Sequence, residues 1–222
     1  MKTKERKLLL LGIGFIIAFA LWTCLIQIID VKPAGVNGTE IGFATINTWF
    51  HSVTGVNRML YNITDWLGLV PIFICMFFVS VGLIQLLKRK SLFKVDFDII
   101  VLGIYYVIVI GGYLIFEMIP INYRPILING FQESSYPSST TLLVLSVMPT
   151  LIFQSKLKLK NTTLKRIISI IAIVFSMFMV VGRLASGVHW VTDIIGSMLL
   201  SAGLFNIYKG IVLWNSAKNC RN

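Results

Sequence analysis

Long apolar runs alternate with short polar ones along the whole chain, and this alternation sets the first expectation. An apolar run of about 18 or more residues is long enough to cross a bilayer as a helix. Six such runs are predicted, at roughly 8–29, 67–87, 98–117, 139–155, 167–185 and 190–214. The fourth is short and opens on Ser138, Ser139, Thr140 and Thr141, so its polar end is expected to be buried in protein rather than in lipid. The first run is longer than the apolar core of a secretory signal and has no small-residue cleavage site before Asp30, which predicts a retained anchor. Between the first two runs, apolar residues such as Ile46, Trp49, Phe50 and Val53 recur at helical spacing. They predict an amphipathic helix at the membrane interface, acting either as a lid or rim or as a plain connector.

Composition agrees with this pattern. The chain has 222 residues, of which 56% are hydrophobic and only 13% charged, whereas soluble domains carry about 25% charged residues. The expected fold class is therefore all-α: an integral membrane bundle of six transmembrane helices in a single domain over residues 1–222. The net charge of +11 does not indicate nucleic acid, because the cations gather in short loops between apolar runs rather than along one face. Of 20 Lys and Arg residues, 16 fall on the side of the N-terminus and four (Lys32, Arg58, Arg124 and Arg183) on the other. The excess of cations in cytoplasmic loops predicts that both termini are cytoplasmic, in a multi-pass protein of the cell membrane. Cys24, Cys75 and Cys220 are too scattered to form a disulfide framework or a metal knuckle.

Charge changes the picture where it falls beside apolar runs. Arg183, His189 and Asp193 lie at the junction of the last two, and Arg124 lies just past the third. Ionisable groups at membrane depth are costly and mark functional sites. Guanidinium forks suit phosphate oxygens. His189 and Asp193 stand four residues apart, on one helical face, so the carboxylate can take an imidazole N–H and leave the other ring nitrogen free for chemistry. On the expected topology the cluster faces the extracytoplasmic side.

Arg124-Pro125, then Pro137-Ser138-Ser139, then Arg183 followed six residues on by His189 and four further by Asp193, form a pattern that resembles the type 2 phosphatidic acid phosphatase and haloperoxidase superfamily. The motif core spans about 117–193, and the six-run layout extends the likeness over the chain. The resemblance implies a phosphoric monoester or diphosphate hydrolase with neither metal nor cofactor, acting on a lipid phosphate or polyprenyl diphosphate among membrane lipids. It implies His189 as nucleophile and Asp193 as its partner. It implies Arg124, Arg183, Ser138 and the Ser139 amide as the phosphate cradle, with Thr140 and Glu117 at neighbouring substrate-binding positions. A soluble haloperoxidase is excluded by the membrane-embedded chain.

Two positions depart from the family pattern. Glu117 stands where the family has lysine, and Thr140 where it has the histidine that gives a proton to the leaving group. Loss of a general acid typically costs about 10²–10⁴-fold in rate. The replacement acid expected from sequence is Glu117 or His51; Glu117 alternatively braces the bundle through an ion pair to Arg124 or Arg183. Two further readings stay open: a head-group transferase, and a non-catalytic lipid-phosphate binding or transport protein.

Overall fold

The computed structural model describes residues 3–219. Cys220 lies outside that range, as do Lys2 and Arg221, two of the 16 cations counted on the side of the N-terminus. Eight α-helices follow one another: α1 Thr3–Ile26, α2 Ala44–Thr54, α3 Arg58–Leu67, α4 Leu69–Arg89, α5 Phe97–Met118, α6 Ser139–Lys158, α7 Thr162–Ala185 and α8 Val191–Asn219. Six segments are long and apolar enough to cross a membrane, with α3 and α4 forming one of them through Gly68. The chain is a multi-pass membrane protein. All six apolar runs become helices, but α1 and α7 begin about a turn before their runs. Helix starts follow capping rather than hydropathy: the Asn161 side chain accepts the Leu164 N–H at 3.0 Å and opens α7 ahead of its apolar stretch.

α6 is the central pillar. In its most apolar stretch 56% of residues are buried, against 17% for α1 and 11% for the α3–α4 segment. Its lower hydropathy follows from facing protein, since its polar side chains pair within the bundle. Tyr106 Oη lies 2.8 Å from Thr150 Oγ1, and Gln154 donates to Tyr208 Oη at 2.7 Å. Such pairing removes polar groups from lipid, where water cannot satisfy them. α1 lies along α8 at close range, made possible by small residues. A Cβ added at Gly12 would stand 2.7 Å from Ile207 and 2.9 Å from the Gly203 carbonyl.

The two ends of the bundle differ chemically. At one end Arg89 and Lys158 pair with Asp96, and Lys158 also pairs with Asp98, tying the α4–α5 turn to the end of α6. The other end carries α2, α3, the 119–138 loop and the α7–α8 turn. The single amphipathic helix expected before the second apolar run is two helices, broken at Gly55, where φ is +59°. α2 keeps the expected character, with Ile46, Trp49 and Val53 exposed and Ala44 and Asn47 buried. Asn47 holds α2 over the start of α8 by donating to Thr192 Oγ1 at 3.0 Å.

Candidate active site

The site is assembled by two connections. In the first, Arg183 ends α7, the chain turns through Ser186–Trp190, and Asp193 sits in the first turn of α8. Gly187 makes the turn possible: its φ is +68°, and a Cβ there would stand 1.8 Å from the Gly55 carbonyl oxygen. Asp193 Oδ2 accepts the Trp190 N–H at 2.8 Å, a carboxylate closing the start of its own helix.

The second connection is the 119–138 loop. The Arg124 N–H bonds the Glu133 carbonyl at 3.1 Å and the Ser135 N–H bonds that of Asn122 at 2.9 Å. Trp190 Nε1 donates to the Tyr123 carbonyl at 2.8 Å, docking this loop on the α7–α8 turn. Tyr136 anchors its far side: the ring lies against Gly196 of α8, and its hydroxyl stands 2.7 Å from Thr23 Oγ1.

His189 lies between the two connections and is 4% exposed, so its environment is set entirely by protein groups. Nδ1 faces the Ser135 carbonyl oxygen at 3.1 Å, and Asp193 Oδ2 stands behind at 3.5 Å. Nε2 faces Arg183 Nη2 at 3.3 Å. A guanidinium only donates, so Nε2 carries the lone pair and the proton is on Nδ1. Burial first, then the charges of Arg124 and Arg183, hold the imidazole well below its ordinary pKa and keep it neutral. Sequence spacing assigned the imidazole N–H to Asp193; its hydrogen bond goes to the backbone of Ser135, with the carboxylate as a second, longer neighbour.

Both arginines are buried, at 9% and 1% exposure for Arg124 and Arg183. Arg124 Nε meets Glu133 Oε2 at 3.2 Å, while Nη1 is buried without a partner. Arg183 pairs through Nη1 with Asp65 Oδ1 at 3.5 Å and lies 5.0 Å above the Tyr61 ring; its Nε is also unpartnered. Unpaired buried donors on two cations form a receptor for an anion. Beside them is the N-terminus of α6, where the first-turn amides of Ser139, Thr140 and Thr141 have no partner within the helix. Ser138 is wholly buried; its Oγ donates to Thr141 Oγ1 at 3.1 Å and its N–H meets the Asp193 carbonyl at 3.4 Å.

Arg124, Arg183, Ser138, His189 and Asp193 thus come together, with Ser139 and Thr140 on the wall of an adjoining groove. Glu117 does not take the ion-pair role considered for it: it is exposed, and the arginines pair with Glu133 and Asp65 instead. His51 packs on the Trp190 ring at 5.6 Å between centroids. Sequence reasoning missed Asp65, Tyr61, Ser135 and Asn122. Ser135 Oγ and Asn122 Nδ2 in the loop, like Asp193 Oδ1, are buried without a hydrogen-bond partner. Among the described residues, no group of three His, Cys, Asp or Glu converges as a metal site.

The groove has a volume of about 460 Å³ and runs between α4, α5 and α6. Asp65, Ser139 and Thr140 line it together with apolar residues such as Ile72, Val109 and Leu143.

Among curated proteins none matches the chain. The family model of the PAP2 superfamily matches residues 118–217, the segment that holds both connections. The fold is similar to that of a solved structure described as the first transmembrane PAP2-type phosphatidylglycerolphosphate phosphatase from Bacillus subtilis. The TM-score is 0.63 at 18% identity, over 90% of this chain and 95% of that one. Residues 118–217 thus match the PAP2 superfamily, and the six-span bundle that carries them has the fold of a transmembrane PAP2-type protein.

Proposed function

We propose that the protein is a membrane lipid phosphatase or diphosphatase that works through His189 as nucleophile. The observation that carries this reading is the buried, neutral His189, whose Nε2 lone pair points at the Arg183 guanidinium 3.3 Å away. That lone pair accepts an Arg183 N–H. A phosphoryl oxygen that takes over this donor frees the lone pair and places phosphorus beside it. The unpartnered Arg124 Nη1 and Arg183 Nε, with the first-turn amides of α6, then face the charge that grows on the phosphoryl oxygens. Each preorganised donor of this kind is worth about 10²–10³ in kcat. The phosphohistidine is hydrolysed by water to complete turnover.

The groove supports a lipid substrate. Its polar end is at Asp65, Ser139 and Thr140, and its apolar part suits an acyl or polyprenyl chain. The extracytoplasmic position of the site is supported by the four Lys and Arg residues on its side of the chain against 16 on the other.

The test is phosphate release by purified protein in detergent, with phosphatidate and a polyprenyl diphosphate as substrates and His189→Ala as control. Release from either that vanishes in the variant is the expected result. A wild-type protein inert toward both would favour head-group transfer or lipid-phosphate binding at the same cradle.

A further inference from the structure

A phosphoryl group leaving an alcohol needs a proton on the departing oxygen, because an alkoxide is a poor leaving group. Thr140, on the groove wall, has no proton to give near neutral pH. His51 is held against Trp190 and Glu133 against Arg124, while Glu117 is exposed on α5. Asp65 is placed differently. The Arg183 fork turns Nη2 to His189 Nε2 at 3.3 Å and Nη1 to Asp65 Oδ1 at 3.5 Å, so nucleophile and carboxyl group sit on the two arms of one guanidinium. Asp65 also lines the groove beside Ser139 and Thr140. Gly68, three residues on, packs against Thr140: a Cβ there would lie 3.3 Å from Thr140 Cγ2.

Exposure gives Asp65 freedom to act. Its side chain is 57% exposed, whereas that of Arg183 is 1% exposed. The carboxyl group reaches in from the mouth, and an incoming phosphate can take Arg183 from it without disturbing the bundle. A phosphoryl group lying across the fork has His189 Nε2 at one side and Asp65 at the other, toward the groove. That is the side on which the lipid alcohol must leave.

We propose that Asp65 is the proton carrier of this site, giving a proton to the leaving lipid oxygen and later taking one from water. The proposal rests on the reading of His189 as nucleophile. The proton enters with the phosphomonoester, which exchanges its second proton near neutral pH. In the first half-reaction the Nε2 lone pair forms the N–P bond while the P–O bond to the alcohol breaks. The bonding pair goes to the alcohol oxygen, which takes the Asp65 proton. In the second, a water oxygen bonds phosphorus as the Asp65 carboxylate takes the water proton. The N–P pair returns to Nε2, and inorganic phosphate leaves.

The test is Asp65→Asn, assayed on two substrates with very different leaving groups. With phosphatidate, whose alkoxide needs a proton, first-turnover release of the alcohol is expected to slow about 10²–10³-fold. With p-nitrophenyl phosphate, whose phenolate leaves unaided, the first-turnover burst of phenolate, which precedes attack by water, is expected to change by less than about threefold. That burst also shows that the variant is folded. Asp65→Glu, which keeps a carboxyl group, should recover most of the phosphatidate activity. Equal losses of first-turnover release on both substrates would overturn the proposal. So would unchanged phosphatidate turnover with a lower KM, the mark of a carboxylate that merely occupies Arg183. A wild-type protein that releases phosphate from neither substrate overturns the parent reading instead, and is told apart because the failure precedes any variant.

Discussion

An imidazole held between a carbonyl oxygen on one nitrogen and a guanidinium on the other has its tautomer decided by its neighbours. His189 has that setting, and pH dependence follows from it. Its pKa is depressed by burial and by Arg124 and Arg183, so the imidazole stays unprotonated well into acid. Turnover of an aryl phosphate should therefore show no acid limb near about 6.5, the ordinary histidine value; a limb there would contradict the assignment. The same depression is linked to stability. The folded protein resists binding a proton that the unfolded chain accepts, so this contribution is full above about 6.5 and is lost as pH falls toward the folded value. The charged members of the site were legible in the sequence because Arg124, Arg183, His189 and Asp193 interrupt or flank apolar runs. Ser135 was not, because it acts through its carbonyl, which every residue possesses. Asp65 was not, because it meets Arg183 only after 118 positions of intervening chain.

The α7–α8 turn and the α2–α3 break depend on each other. Gly187 at φ +68° lies where a Cβ would meet the Gly55 carbonyl, and the Asn57 N–H bonds the Ser186 carbonyl at 3.0 Å. Gly187→Ala adds both a left-handed conformation and a backbone clash. It should cost about 1–3 kcal/mol, and move Arg183 out of register with His189. Thermal unfolding in detergent should then show a lower midpoint, and aryl phosphate turnover should fall with helix content retained. An Ala variant as stable and active as wild type would show that this contact does not hold the site. The existence of the six long helices was readable from run length alone. The break at Gly55 was not, since apolar periodicity continues across it and the interruption depends on contact with a turn over 130 positions away.

For the molecule as a whole, the proposed topology sets the basic end and the site end on opposite sides of the membrane. With Cys24, Cys75 and Cys220 replaced by Ser, Gln132→Cys at the site end should react with a membrane-impermeant maleimide on intact cells. Lys160→Cys at the basic end should react only after permeabilisation. The reverse labelling would invert the proposed topology. The bundle as a whole sets a buried histidine against Arg183, whose partner Asp65 lines the groove between α4, α5 and α6, and the account stands on that histidine becoming phosphorylated. The most direct measurement is acid-sparing mass spectrometry of the protein quenched during turnover of phosphatidate. Phosphate on His189, stable in base and absent from His189→Ala, is the predicted result. Steady turnover without any phosphorylated His189, or with the label on another residue, would contradict it.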